Sequence, residues 1–151
     1  MMRDELNKAL KESMRAKDDR AVSTLRLILA ALKDRDIAAR SKGNNDGISD
    51  DELLQMLQSM VKQRKESISM YEKGGRLELA EGEQAEIEVI QRFLPKQMSD
   101  SEIETEVKSL IEEMGATGLK EMGAVMGELR TRFAGRMDFG KASPIVKQAL
   151  S

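Results

Sequence analysis

The residues that decide the fold read Gly115-Ala-Thr-Gly-Leu-Lys-Glu-Met-Gly-Ala-Val-Met126, and the short motif Gly135-Arg-Met-Asp138 follows them. Apolar side chains recur through this region at spacings of three and four, as in a helix that packs against other helices; they are Leu119, Met122, Met126, Leu129 and Phe133. We expect this helix to begin near Thr117 or Gly118. Gly135 predicts a turn, and Asp138 predicts the N-cap of a final short helix.

Two features of this region leave alternatives open. Pro144 fits poorly inside a helix, so Ser143 and Pro144 either restart the last helix or lie within it. Gly123 and Gly127 are four residues apart and leave a smooth strip on their helix. Close helix packing or the close approach of a ligand backbone would explain the strip, and packing is the simpler explanation.

The same apolar spacing predicts four helices before Pro95 and one between Ser99 and Gly115. The first covers residues 3–17, and the second runs from a cap at residues 18–19 to about residue 40. The third runs from residue 49 to the glycines at 74–75, and the fourth covers residues 76–93. We expect an all-α protein with an N-terminal helical bundle of about four helices at residues 1–96. A small C-terminal three-helix module follows at residues 97–151.

Composition excludes several kinds of catalytic centre. The chain has no His and no Cys among its 151 residues, which removes Cys–His and Ser–His nucleophilic centres and zinc sites built on imidazole or thiolate. Most paired carboxylates fall in first helical turns or on outer faces, where the helix dipole or solvent explains them. We therefore expect no catalytic residue, no metal site and no cofactor. Without a long apolar run or a secretory signal, we expect a cytoplasmic protein that does not bind membranes.

Charge is unevenly distributed along the chain. Residues 1–96 carry 18 basic and 18 acidic side chains, residues 97–114 have a net charge of −5, and residues 115–151 have a net charge of +3. A basic surface can bind phosphates without reading base sequence, so the candidates for RNA contact are Lys120, Arg130, Arg132, Arg136 and Lys141. A solvated face is the simpler interpretation from charge alone, because the isoelectric point is near 5.4. Aromatic residues are also few, with only Phe133 and Phe139 in the last third, so we do not expect a surface built for base stacking.

A second cationic group lies on both sides of the turn at Gly74 and Gly75, with Arg76 on the next helix. Lys62, Arg64 and Arg76 form a second candidate surface. If the third and fourth helices pack antiparallel, these cations would instead pair with Glu86 and Glu88. We also expect the stem of Arg64 to lie along the core, with its head group outside.

The chain resembles the GatB/YqeY family over essentially its whole length. In the N-terminal part the resemblance rests on Lys62-Gln-Arg64, Ser67, Tyr71, Gly75-Arg76, the acidic fourth helix and Phe93-Leu-Pro-Lys-Gln97. In the C-terminal part it rests on Gly115-Ala116, Lys120-Glu-Met-Gly123, Val125-Met126 and Gly135-Arg-Met-Asp138. The resemblance implies a two-part helical protein. Its C-terminal part is similar to the tail of the GatB component of tRNA-dependent amidotransferase, an arm that contacts the outer body of tRNA.

The family's chemistry does not transfer with the tail. In the amidotransferase, which makes Asn-tRNA or Gln-tRNA, the catalytic centre lies in a larger cradle domain, and this chain has no segment long enough to form it. We expect a non-catalytic accessory protein that binds tRNA or other structured RNA, without recognising DNA sequence. One alternative is a protein–protein adaptor that binds through helical grooves, suggested by Met-rich seams and the hinge at Pro95. The other is a carbon–nitrogen ligase, an amidotransferase that uses glutamine as amido donor.

Overall fold

A computed structural model describes all 151 residues, and it is all-α, as the sequence predicts. The seven helices are α1 (Met2–Arg15), α2 (Asp19–Ser41), α3 (Asp50–Lys73), α4 (Leu77–Gln91), α5 (Asp100–Met114), α6 (Met122–Phe133) and α7 (Phe139–Leu150). A short 3₁₀ helix, Leu119–Glu121, precedes α6. The chain divides into two compact units, Met1–Leu94 and Pro95–Ser151.

The N-terminal unit is a bundle of α1 to α4. Helices α3 and α4 pack closely along their lengths, while α2 packs against α1 and α4. The core is aliphatic, and its fully buried side chains include Leu6, Leu25, Ile28, Leu53, Leu57, Ile87 and Ile90. Each such burial stabilises the fold by about 1.5–3 kcal/mol. Met56 and Met60 are also buried, so these two methionines of α3 pack in the core, whereas Met70 near the end of the helix is exposed.

The C-terminal unit has a smaller core shared by α5, α6 and α7. Helix α7 packs against both α5 and α6. Val107, Leu129 and Val146 bring one buried side chain from each of the three helices. Met137, in the loop before α7, is fully buried and anchors that loop to the core.

The predicted helix caps are confirmed. The Ser49 hydroxyl accepts from the Glu52 amide at 3.2 Å, and Glu52 accepts from the Ser49 amide, which completes a capping box at the start of α3. Ser99 and Glu102 make the same arrangement at α5, with both hydrogen bonds at 3.1 Å. A capping side chain contributes about 1 kcal/mol to helix stability.

Three other local predictions have clear outcomes. Gly115 ends α5, as expected, and it lies in the left-handed region at φ +65°. The Asp138 carboxylate accepts from the Gly140 amide at 2.9 Å and caps α7. Pro144 lies inside the continuous helix α7 and does not restart it.

Candidate nucleic-acid interface

The loop between α6 and α7 is held by backbone hydrogen bonds that direct Arg136 outward. Gly135 is left-handed at φ +78°, and the amides of Arg136 and Met137 both donate to the Phe133 carbonyl, at 3.0 and 3.1 Å. The Arg136 carbonyl accepts from the Met98 amide at 2.9 Å, just before α5 begins. The backbone of this loop is therefore fixed on both sides while the Arg136 side chain is exposed.

Two arginines of this region contact aromatic rings instead of carboxylates. The Arg130 guanidinium carbon lies 5.9 Å from the centroid of the Phe139 ring, so α6 contacts the first residue of α7. The Arg136 guanidinium carbon lies 5.9 Å from the centroid of the Phe133 ring. Both arginines are exposed, and contacts of this kind are worth about 0.5–1 kcal/mol at exposed sites. Each ring therefore contacts the guanidinium of an arginine that remains exposed and forms no salt bridge.

Two other sequence candidates are engaged by carboxylates of their own unit. Arg132 forms salt bridges to Glu113 at 2.7 Å and to Glu128 at 2.8 Å. Its hydrogen bonds to Glu128 and then Glu113 raise the pKa of the guanidinium. Lys141 pairs with Asp100 at 2.9 Å, and the hydrogen bond to Asp100 raises its pKa.

The fifth candidate, Lys120, is exposed and forms no salt bridge. It lies in the 3₁₀ helix immediately before α6. Along α6 beyond it, Gly123, Ala124 and Gly127 are all exposed. A Cβ atom placed on either glycine would have no atom within 4 Å outside its own helix. The helix-packing explanation for these glycines is therefore wrong, and the smooth strip faces open space.

The second candidate surface, in the N-terminal unit, is mainly structural at Arg64. The Arg64 Nε donates to Glu86 at 2.8 Å, and its Nη1 donates to the Met60 carbonyl at 3.2 Å. Only 13% of the Arg64 side chain is exposed. The predicted pairing with Glu86 of α4 is confirmed, and the head group is held by that carboxylate and the Met60 carbonyl instead of standing free in solvent. Lys62 and Arg76 are exposed and form no salt bridge.

Comparison with known proteins gives the family. A family model described as Yqey-like protein matches residues 3–150. The chain belongs to the YqeY-like family. A relative in Lachancea thermotolerans, named altered inheritance of mitochondria protein 41, mitochondrial, is 34% identical over 111 residues, which are 72% of this chain and 57% of the relative. The YqeY-like chain thus spans less than two thirds of that relative's length.

Other relatives of the YqeY-like chain show similar identity. A protein of the same name in Pyrenophora tritici-repentis is 32% identical over 130 residues, covering 84% of this chain and 68% of the relative. An uncharacterized protein of Schizosaccharomyces pombe is 30% identical over 95 residues, covering 63% of this chain and 73% of the relative. The names of the first two relatives describe mitochondrial proteins.

The structure of this YqeY-like protein adds features that the sequence did not reveal. Lys96 and Arg136 both lie near Glu102; they help lower its pKa, although the main cause is the hydrogen bond from the Ser99 amide. The contact between Arg130 and Phe139 joins residues nine apart across a turn, and no spacing rule signals it.

No three acidic side chains are arranged to hold a metal ion. No helix combines the length and apolar character needed to cross a bilayer.

Proposed function

We propose that this protein is a non-catalytic accessory protein that binds RNA, with tRNA as its ligand, through the C-terminal unit. The single observation that carries the proposal is the exposed side of α6 and its flanking loops. Lys120 lies at one end, Arg130 and Arg136 lie toward the other, and none of the three is paired with a carboxylate. We call these three side chains the open cations. The family resemblance to a tRNA-contacting tail supplies the choice of RNA.

The strip of small residues between the open cations suits a phosphate backbone. Gly123, Ala124 and Gly127 present no side chain longer than a methyl group, and they are exposed. A sugar–phosphate chain can approach the helix backbone closely at such a strip. Guanidinium groups at its edge provide bidentate contacts to phosphate oxygens. This arrangement binds RNA by shape and charge, without reading bases.

The acidic helix of the same unit supports one orientation of the RNA. Helix α5 carries Glu104, Glu106 and Glu112. Glu104 pairs with Lys108 at 2.8 Å, and the other two form no salt bridge. A polyanion is repelled by the net negative charge of α5 and attracted by the open cations. The proposal therefore assigns RNA to α6 and the α6–α7 loop and excludes it from the outer face of α5.

The proposal also assigns the protein to the cytoplasm, where tRNA is used in translation. A chain without cysteine is compatible with a reducing compartment. Fractionation of host cells with an antibody against the protein checks this assignment. Co-fractionation with mitochondria would contradict the cytoplasmic assignment. The names of two relatives describe mitochondrial proteins.

Binding of a tRNA transcript across a salt series tests the proposal. Each phosphate contact adds about one unit to the slope of log affinity against log salt. The triple variant Lys120→Gln, Arg130→Gln, Arg136→Gln should reduce the slope by about three units. The control is the single variant Lys108→Gln, which removes an exposed α5 cation already paired with Glu104 and should leave the slope unchanged. Undetectable or salt-independent binding by the unmodified chain would refute the proposal.

A further inference from the structure

A groove runs along the C-terminal half of α2, in the N-terminal unit and remote in sequence from the open cations. Its volume is about 240 Å³, and all of its lining residues come from α2: Leu29, Leu32, Lys33, Asp36, Ile37 and Arg40. These positions are three and four apart, so they form one continuous stripe on the helix. The stripe lies beside the buried one that carries Leu25 and Ile28.

The groove has an apolar floor, formed by Leu29 and Leu32, and an exposed apolar edge, formed by Ile37. Leu32 is buried at 5% exposure and Leu29 is half-buried against the core, whereas 49% of Ile37 is exposed. The apolar surface therefore runs without interruption from the buried Leu32 to the exposed Ile37. A volume of this size is below the range of about 300–1,000 Å³ that is usual for small-molecule pockets. It fits one or two anchor side chains from a larger partner.

The net charge of the side chains that line the groove is positive. The Asp36 carboxylate accepts from Arg3 and from the Ile48 amide at 3.0 Å, so its charge is already satisfied inside the unit. Lys33 and Arg40 are exposed and form no salt bridge. The rim therefore carries two cations that form no salt bridge, with the Arg3-paired Asp36 carboxylate between them in sequence, and its net charge is positive.

We infer that this groove docks an amphipathic helix of a protein partner, whose leucine-like side chains enter the floor and whose carboxylates face Lys33 and Arg40. Helix-in-groove binding uses apolar anchors at spacings of three, four and seven residues. Complementary charges at the rim set the orientation and favour acidic partners over basic ones. RNA is a poor occupant, because Leu29, Leu32 and Ile37 offer neither hydrogen-bond donors nor aromatic faces. This site is independent of the RNA proposal.

Two matched peptides test the inference on the full chain. The first is a helical peptide with leucines at spacings of three and four and glutamates beside them, and the second has lysines in place of those glutamates. Binding is followed by NMR of ¹³C-labelled Leu and Ile methyl groups. We expect the acidic peptide to shift the methyl signals of Leu29, Leu32 and Ile37, and the basic peptide to leave them unchanged.

Variants locate the interaction on the rim. The double variant Lys33→Glu, Arg40→Glu should weaken binding of the acidic peptide about tenfold, because two attractive pairs become repulsive. Arg35→Glu is the matched control, since Arg35 is an exposed cation of α2 that does not line the groove. It should change the affinity less than twofold.

Four outcomes would overturn the inference. They are equal shifts with both peptides, no shift with the acidic peptide, and an equal loss of affinity in Arg35→Glu. The fourth is a shift of the groove methyl signals with protein concentration alone, which would make a second copy of this chain the occupant. Thermal unfolding of each variant, unchanged from the unmodified chain, separates lost docking from lost folding.

Discussion

The Arg3 guanidinium donates to both oxygens of the Asp36 carboxylate and thereby joins the start of α1 to the C-terminal half of α2. The same guanidinium donates to the Ile48 carbonyl at 2.8 Å, and the Ile48 amide donates back to Asp36 at 3.0 Å. Ile48 is buried in the core immediately before the cap of α3. This ion pair therefore connects α1 and α2 to the residue that precedes the cap of α3.

We predict that Asp36→Asn lowers the free energy of unfolding by about 1–2 kcal/mol at neutral pH, because the amide loses charge-assisted hydrogen bonds in a partly exposed site. The pKa of Asp36 lies below its ordinary value, chiefly because Arg3 donates to it. A depressed pKa in the folded state stabilises the fold above the unfolded pKa, and the effect is lost as pH falls through the folded value.

Urea unfolding at pH 7 and below pH 4 measures this difference. The gap between the unmodified chain and Asp36→Asn should be full at pH 7 and shrink in acid. Asp34→Asn is the control, since Asp34 is exposed on the same helix and forms no salt bridge. A gap that stays constant with pH would contradict the assigned role of Arg3.

The sequence predicted the caps because they are local. In Ser49–Glu52 and Ser99–Glu102, donor and acceptor are three residues apart, so the hydrogen bonds form wherever the helix starts. The left-handed glycine at residue 115 is equally local. The all-α class followed from apolar spacing for the same reason.

Whether each basic residue pairs with a carboxylate could not be predicted from the sequence, because the pairing depends on packing between helices. Arg130 and Arg132 are two residues apart and point to different sides of α6. Arg132 reaches Glu113 on α5, while Arg130 lies over Phe139 on α7. Only the packed arrangement of the three helices separates the paired arginine from the unpaired one. The sequence showed the strip at Gly123 and Gly127, but for the same reason it could not show that no other helix packs against it.

Because Arg132 is paired with carboxylates and Arg130 is not, we predict that replacing them by glutamine has unequal effects on RNA binding. Arg130→Gln should weaken tRNA affinity and reduce the salt slope by about one unit, because Arg130 is exposed and no carboxylate neutralises its charge. Arg132→Gln should reduce the slope by less, since its charge is already neutralised by Glu113 and Glu128. Filter binding at several salt concentrations compares them. Equal slopes for the two variants would show that pairing does not decide which arginine contacts RNA.

The glycine strip predicts opposite effects of small and large side chains. Gly127→Ala should raise the free energy of unfolding by about 1 kcal/mol, because the site is helical and has open space around it. It should leave tRNA affinity nearly unchanged. Gly127→Leu should also keep the fold, but it should weaken tRNA binding by holding the phosphate backbone away from α6.

Thermal unfolding and tRNA titration of both Gly127 variants give the two readouts. The control is Thr105→Leu, which places the same bulk at an exposed position of α5, outside the proposed interface. Unimpaired binding by Gly127→Leu would exclude the strip from the interface, while leaving the open cations to be tested separately.

Pro144 provides the final prediction, because it is the sixth residue of α7 and lies beyond the first turn. At this position a proline lacks the amide that would donate to the Gly140 carbonyl, and its ring crowds that carbonyl. Pro144→Ala should raise the free energy of unfolding by about 1–2 kcal/mol, after allowance for the extra freedom of the unfolded chain. Hydrogen exchange of the α7 amides in the full chain locates the gain. Gln148→Ala, an exposed site on the same helix, should change stability by only a few tenths of a kcal/mol. Faster exchange in Pro144→Ala would mean that the proline ring stabilises α7 by its contacts more than its missing hydrogen bond weakens it.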